Sequence, residues 1–234
     1  MNEQYKTLEK LCKTNNCKVI ELLNSGIIPS YQCLLFACKV NSNSVNIIKL
    51  IERGILPDGK CLLNCCNRKN NSKAIITILK YGIKPSYDCF KCRKIYTNDN
   101  YEAFVELSGI LILSYEELKF ACTIYGADKA VNYMINIRGI TPNSKCISKL
   151  VKYNHKDYKT LKVLLSSGAK VTLKHIKLLC FTYNQKTFIK TSFLCLYYYK
   201  KQHNRKLKGC KKYVTINIGE IDEFIRLFIS KNIN

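Results

Sequence analysis

Gly26-Ile27-Ile28-Pro29-Ser30, Gly54-Ile55-Leu56-Pro57-Asp58 and Gly82-Ile83-Lys84-Pro85-Ser86 are one pentad written three times at 28-residue intervals. The fourth and last proline of the chain, Pro142, again stands three residues after a glycine, Gly139, 57 residues beyond Gly82. That is close to two further periods. A fixed period in the range of roughly 20–50 residues marks a tandem array of stacked units. Arrays of this type ordinarily work as binding surfaces and not as reaction vessels.

The fourth residue after each glycine is Ser30, Asp58, Ser86, Asn143 or Thr172. All five residues accept a hydrogen bond from a free helix N–H and make good N-caps. Near the irregular Gly109 the glycine slips one place early, yet Ser114 keeps the 28-residue register from Ser86. A short inner helix with small apolar residues follows each cap, over 33–38, 61–66, 117–122 and 175–180. After a polar turn a second, outer helix is expected over 19–23, 45–51, 74–79, 103–107, 131–137 and 161–165. It ends at the glycine, where a left-handed residue is expected.

The outer helices read Val19-Ile20-Glu21-Leu22-Leu23-Asn24-Ser25-Gly26 and Val163-Leu164-Leu165-Ser166-Ser167-Gly168, and the small pairs are Ala37-Cys38, Cys65-Cys66 and Ala121-Cys122. This unit resembles the ankyrin repeat. It departs by lacking the T-P-L-H segment and by running about six residues short between the glycine and the small pair. The resemblance covers residues 15–184, with a leading inner helix over 5–12, and implies an all-α, ankyrin-like solenoid of paired antiparallel helices. The projecting hairpin finger is expected to be stunted. Units begin near residues 1, 26, 54, 82, 110, 139 and 168. Residues 185–234 are expected to form a helical C-terminal cap: a helix over 187–199, a basic loop over 200–212, an extended segment over 214–218 and a final helix over 220–230. Short Cys-, Lys-, Asn- and Ile-rich repeats are also similar to ankyrin-type proteins of large DNA viruses. That likeness implies a host protein as partner and the infected cell's cytoplasm as setting.

The formal charge is +23, from 39 Lys+Arg against 16 Asp+Glu. Such a charge favours acidic partners and polyanions. No run of residues is long and apolar enough for a membrane helix, and the polar start reads as no secretory signal. Fourteen cysteines therefore read as buried thiols in a reducing compartment. Cys33, Cys61, Cys89 and Cys146 each fall seven residues after a glycine, which makes them a packing column and not a zinc site. No phosphate loop or metalloprotease motif is present, and His155, His175 and His203 sit in no nucleophile–base pattern. The expectation is a monomeric, non-catalytic protein-binding scaffold without cofactor or metal. Tyr31, Tyr87 and Tyr115, one residue past three caps, are the candidate partner contacts. The alternative is a nucleic-acid binder using the basic run Lys200, Lys201, Arg205, Lys206, Lys208, Lys211 and Lys212 beside the aromatic stretch 197–199.

Overall fold

The computed structural model describes residues 3–14, 18–40, 44–172, 174–176, 178 and 187–203. Every regular element among them is helical. The chain divides into two compact units, Met1–Leu113 and Ser114–Asn234.

The first unit contains α1 (Glu3–Lys13), α2 (Lys18–Asn24), α3 (Tyr31–Val40), α4 (Ser44–Glu52), α5 (Gly59–Cys66), α6 (Ser72–Lys80), α7 (Asp88–Lys91) and α8 (Tyr101–Ile110). Two short 3₁₀ turns, Arg93–Tyr96 and Asn98–Asn100, precede α8. Inner helices stack as α1 on α3 on α5, with α7 next, while outer helices stack as α2 on α4 on α6 on α8. The buried stripe of α6 (Ala74, Ile75, Ile78) shows why. Its apolar side chains recur one turn apart, and full burial of each isoleucine contributes about 1.5–3 kcal/mol.

The outer helices end as the sequence requires. Gly54 adopts φ +89°, its N–H reaches Ile51 O at 2.9 Å, and Ile55 N–H reaches back to Leu50 O at 3.4 Å. This paired return bond satisfies two orphan carbonyls and needs a residue without a Cβ penalty at the turn. Gly26, Gly82, Gly139 and Gly168 take the same left-handed conformation. Gly109 does not: it lies inside α8, which runs on to Ile110. Leu113 then occupies the buried position that Pro29, Pro57 and Pro85 fill elsewhere, so the register survives the loss of the glycine.

The third repeat departs from its neighbours. Where its neighbours carry the small pair it has Arg93 and Lys94, which cannot enter a dry helix join. The inner helix stops at Lys91, Cys92 turns extended (ψ 114°), and the chain winds into the 3₁₀ turns. Those turns deliver Ile95 and Tyr96, both fully buried. Tyr96 packs 5.4 Å from the Phe104 ring and its hydroxyl donates to Phe90 O at 2.8 Å.

The second unit contains α9 (Tyr115–Ala121), α10 (Asp128–Asn136), α11 (Ser144–Asn154), α12 (Tyr158–Ser166) and α13 (Thr187–His203). Here α9 packs on α11, α10 on α12, and α12 on α13. Ser114 starts α9 with a capping box: its own N–H donates to Glu117 Oε2 at 2.8 Å and its hydroxyl accepts from the helix backbone. Asn143 Oδ1 accepts Lys145 N–H at 2.8 Å, just as Asp58 Oδ1 in the first unit accepts Cys61 N–H at 2.9 Å. Thr172 inverts the pattern, since its own N–H donates to His175 Nδ1 at 3.2 Å.

The C-terminal helix runs four residues further than the expected 187–199, so Lys200 and Lys201 belong to a helix and not to a loop. The Lys-Lys-Gln sequence offers no breaker, and all three are good helix formers. Gln202 bridges the connector after Gly168: its Nε2 donates to Ala169 O at 2.9 Å and its Oε1 accepts Val171 N–H at 2.8 Å. The expected segments 214–218 and 220–230 lie outside the described residues.

Candidate interaction surface

Each connector is four residues long and built by alternation. The residue before a proline is driven to extended backbone, and extended chain points successive side chains to opposite sides. The first residue after the glycine (Ile27, Ile55, Ile83, Ile140) is half-buried and the third (Pro29, Pro57, Pro85, Pro142) is buried. The second therefore faces water. In the first unit that position holds Ile28, Leu56, Lys84 and, in register, Ile112. The three aliphatics are 70%, 72% and 75% exposed. Equivalent positions on successive repeats lie about one helix-packing distance apart, of order 8–10 Å. No column of this kind is evident from the glycine-proline signature, because the second position is the one the signature leaves unmarked.

The tyrosine column has a different use. Tyr31 Oη donates to Asp58 Oδ2 at 2.7 Å, and Tyr115 Oη donates to Asn143 Oδ1 at 2.6 Å. In both cases the acceptor is the N-cap of the next inner helix. Burial and the bond to Asp58 hold the Tyr31 phenol above its ordinary value. Burial pushes the Asp58 carboxyl up, but hydrogen bonds from Cys61 N–H and Tyr31 outweigh it and leave it below the usual carboxylate range. Tyr31 and Tyr115 thus close joins between repeats, while Tyr87 stands exposed. Of the candidate polyanion contacts, Lys200 and Lys201 lie on α13, with Lys201 exposed. Arg205, Lys206, Lys208, Lys211 and Lys212 lie outside the described residues.

A second set of joins is buried at the turns leading into the outer helices. Asn100 Oδ1 accepts Asn71 N–H at 2.9 Å, and its Nδ2 donates to Arg68 O at 2.5 Å and Lys94 O at 3.1 Å. Ser72 Oγ accepts Ala103 N–H at 2.9 Å. In the second unit Asp157 Oδ2 accepts Gly126 N–H at 3.1 Å and Thr160 Oγ1 at 2.9 Å, while its Oδ1 accepts Thr160 N–H at 3.0 Å. Every backbone N–H so satisfied would otherwise be an orphan donor at a helix start or tight turn.

The glycine-plus-seven cysteines are buried, as expected of a packing column. Each, however, interacts with a thiol near the end of the preceding inner helix: Cys33 with Cys12, Cys61 with Cys38, Cys89 with Cys66, and Cys146 with Cys122. The neighbouring Cys12 thiol holds the Cys33 thiol below its ordinary value against the opposing effect of burial, and Cys122 does the same for Cys146. Their partners are correspondingly held protonated. Among the described residues no group of three or more His, Cys, Asp or Glu is arranged to hold a metal. None of the helices there is long and apolar enough to cross a membrane. No family model matches the chain, and no curated protein matches it.

Proposed function

We propose that this chain is an ankyrin-type repeat scaffold that binds another protein through its connectors, without catalysis. One observation carries the reading: Ile28, Leu56 and Ile112 stand 70–75% exposed at the same connector position of the first unit. Single exposed aliphatics are ordinary on any surface. Three at one repeat position form an ordered row, and large side chains in such a row are what a partner's pockets grip. The shortened connectors then serve as fingers reduced to a single side chain each. Exposed Arg53 and Lys60 flank the row and exposed Lys84 stands within it, so the partner presents apolar pockets rimmed by acidic residues.

Quantitative affinity capture with the full chain tests this against an Ile28→Asp/Leu56→Asp/Ile112→Asp variant. A control variant carries Glu21→Ala, Thr77→Ala and Glu106→Ala on outer helices. The expected result is at least one protein recovered with wild type and control but reduced about tenfold or more with the connector variant. Identical recoveries from all three would refute the connector surface.

A further inference from the structure

The charge of this chain is unevenly laid out. Between Lys129 and Gly219 there are 20 Lys+Arg and a single acid, Asp157. That acid is only 5% exposed, and both of its oxygens are taken by Thr160 and Gly126. No carboxylate of this stretch therefore meets its lysines at the surface. The described charge concentrates on one helix pair. Lys145, Lys149 and Lys152 follow i, i+4, i+7 on α11 and share a face. Lys156 sits in the turn, and Lys159 and Lys162 follow on α12. All are exposed except the half-buried Lys149. Tyr153, 51% exposed, stands among them, with the ammonium groups of Lys149 and Lys152 at 5.5 and 5.1 Å from its ring centroid.

The geometry points to a binding surface for single-stranded nucleic acid on α11 and α12, made of residues other than those of the connector row and of the basic run beginning at Lys200. A run of lysines without interspersed acids matches a strand of evenly spaced phosphates. An exposed aromatic ring beside the phosphate-binding charges is where an unpaired base stacks. A protein interface would need an apolar centre, and among the exposed residues of this helix pair Tyr153 is the one large apolar side chain. Contacts from ammonium groups to phosphates and stacking on a ring carry no sequence information, so binding is indifferent to sequence.

Fluorescence anisotropy with a labelled mixed-sequence 20-nucleotide strand, as RNA and as DNA, measures this on the full chain between 50 and 200 mM salt. Changing all six lysines to Gln weakens binding by about thirtyfold or more at the lower salt and flattens the log–log salt slope by about 4. The smaller Lys152→Gln/Lys156→Gln/Lys159→Gln variant flattens it by about 2. Tyr153→Ala weakens binding about tenfold with the slope unchanged. A charge-matched control changes Lys6, Lys10, Lys60, Lys69, Lys73 and Lys80 of the first unit to Gln and keeps wild-type affinity within about threefold. Equal losses in control and patch variants would reduce the effect to net charge and overturn the assignment. So would absence of binding at 50 mM salt, or competition by poly-glutamate as effective as by unlabelled strand.

Discussion

Residues 1–113 and 114–234 join their repeats with the same chemistry and present different faces. In the first unit Asn100 receives the Asn71 amide and Tyr31 reaches the Asp58 cap. In the second, Asp157 receives the Gly126 amide and Tyr115 reaches the Asn143 cap. Outward positions diverge. The connectors of the first unit carry Ile28, Leu56 and Ile112, whereas Thr141 and Lys170 occupy the same position in the second. The first unit holds 16 Lys+Arg against 9 acids, the second 23 against 7. Positions that make joins are fixed by the hydrogen bond each must supply, and solvent positions are free to specialise. One scaffold thus offers an apolar row and a cationic face.

The buried joins should show the largest effects. Asp157→Ala strands two backbone N–H groups and the Thr160 hydroxyl, and should cost about 3 kcal/mol in urea unfolding. Asn100→Ala, which loses a neutral amide, should cost about 2 kcal/mol. A loss below about 1 kcal/mol in either case would mean that the turn bonds do not hold the repeats. Next come the glycines. Gly54→Ala and Gly168→Ala force a side chain into left-handed backbone and should each cost about 1 kcal/mol. Gly109→Ala sits inside α8 with open space around the added carbon, and should stabilise by about 0.5–1 kcal/mol. If Gly109→Ala behaved like Gly54→Ala, the description of the irregular repeat would be wrong.

Acid separates the units at a smaller scale. All three histidines, His155, His175 and His203, lie in the second unit. Burial lowers His175 below its ordinary 6.5, as does neighbouring Lys174, and burial lowers His155. His175 Nδ1 accepts Thr172 N–H, which leaves Nε2–H to donate to Ser148 Oγ at 2.7 Å. Protonation would place a second donor against Thr172 N–H. With the folded value lower than the unfolded one, stability is complete above about pH 6.5 and falls as pH drops below it, by at most about 1.4 kcal/mol per pH unit for one proton. Hydrogen exchange at pH 7 and 5.5 should show acid loosening α11 and α12 in wild type and less so in His175→Ala. Equal loosening in both would remove His175 from the account. The smallest effect belongs to the exposed caps, where Tyr31→Phe and Tyr115→Phe should each cost about 0.5 kcal/mol by thermal melting. A cost above about 1.5 kcal/mol would place these hydroxyls among the main joins.

The glycine register marked the ends of five outer helices, the polar residue four places on marked helix starts at Asp58 and Asn143, and the 28-residue period marked the one at Ser114. Both signals are local, since each depends on one residue's own backbone or side chain. The third repeat was less legible. Its helix fails where Arg93 and Lys94 replace the small pair, but only the fold shows Ile95 and Tyr96 swinging in to fill the gap. The buried joins were not legible as a column, because turn length varies and the equivalent residues are Asn71, Asn100, Ala127 and Asp157. A bond such as Gly126 to Asp157 spans 31 residues, outside the 28-residue period that exposed everything else. The cysteine column was visible, but each thiol's partner lies on the previous helix at another register. The tyrosines were visible too, though which hydroxyl meets which cap is decided across a repeat.

Amide hydrogen exchange at Gly126 and Asn71 tests most directly whether buried joins hold the repeats together. Both amides lie in turns and would exchange freely if each turn stood alone. Slowing by about a hundredfold or more is expected at both, with Gly126 alone released in Asp157→Ala and Asn71 alone released in Asn100→Ala. Exchange of either amide in the wild-type protein at close to the rate of an unstructured chain would contradict it.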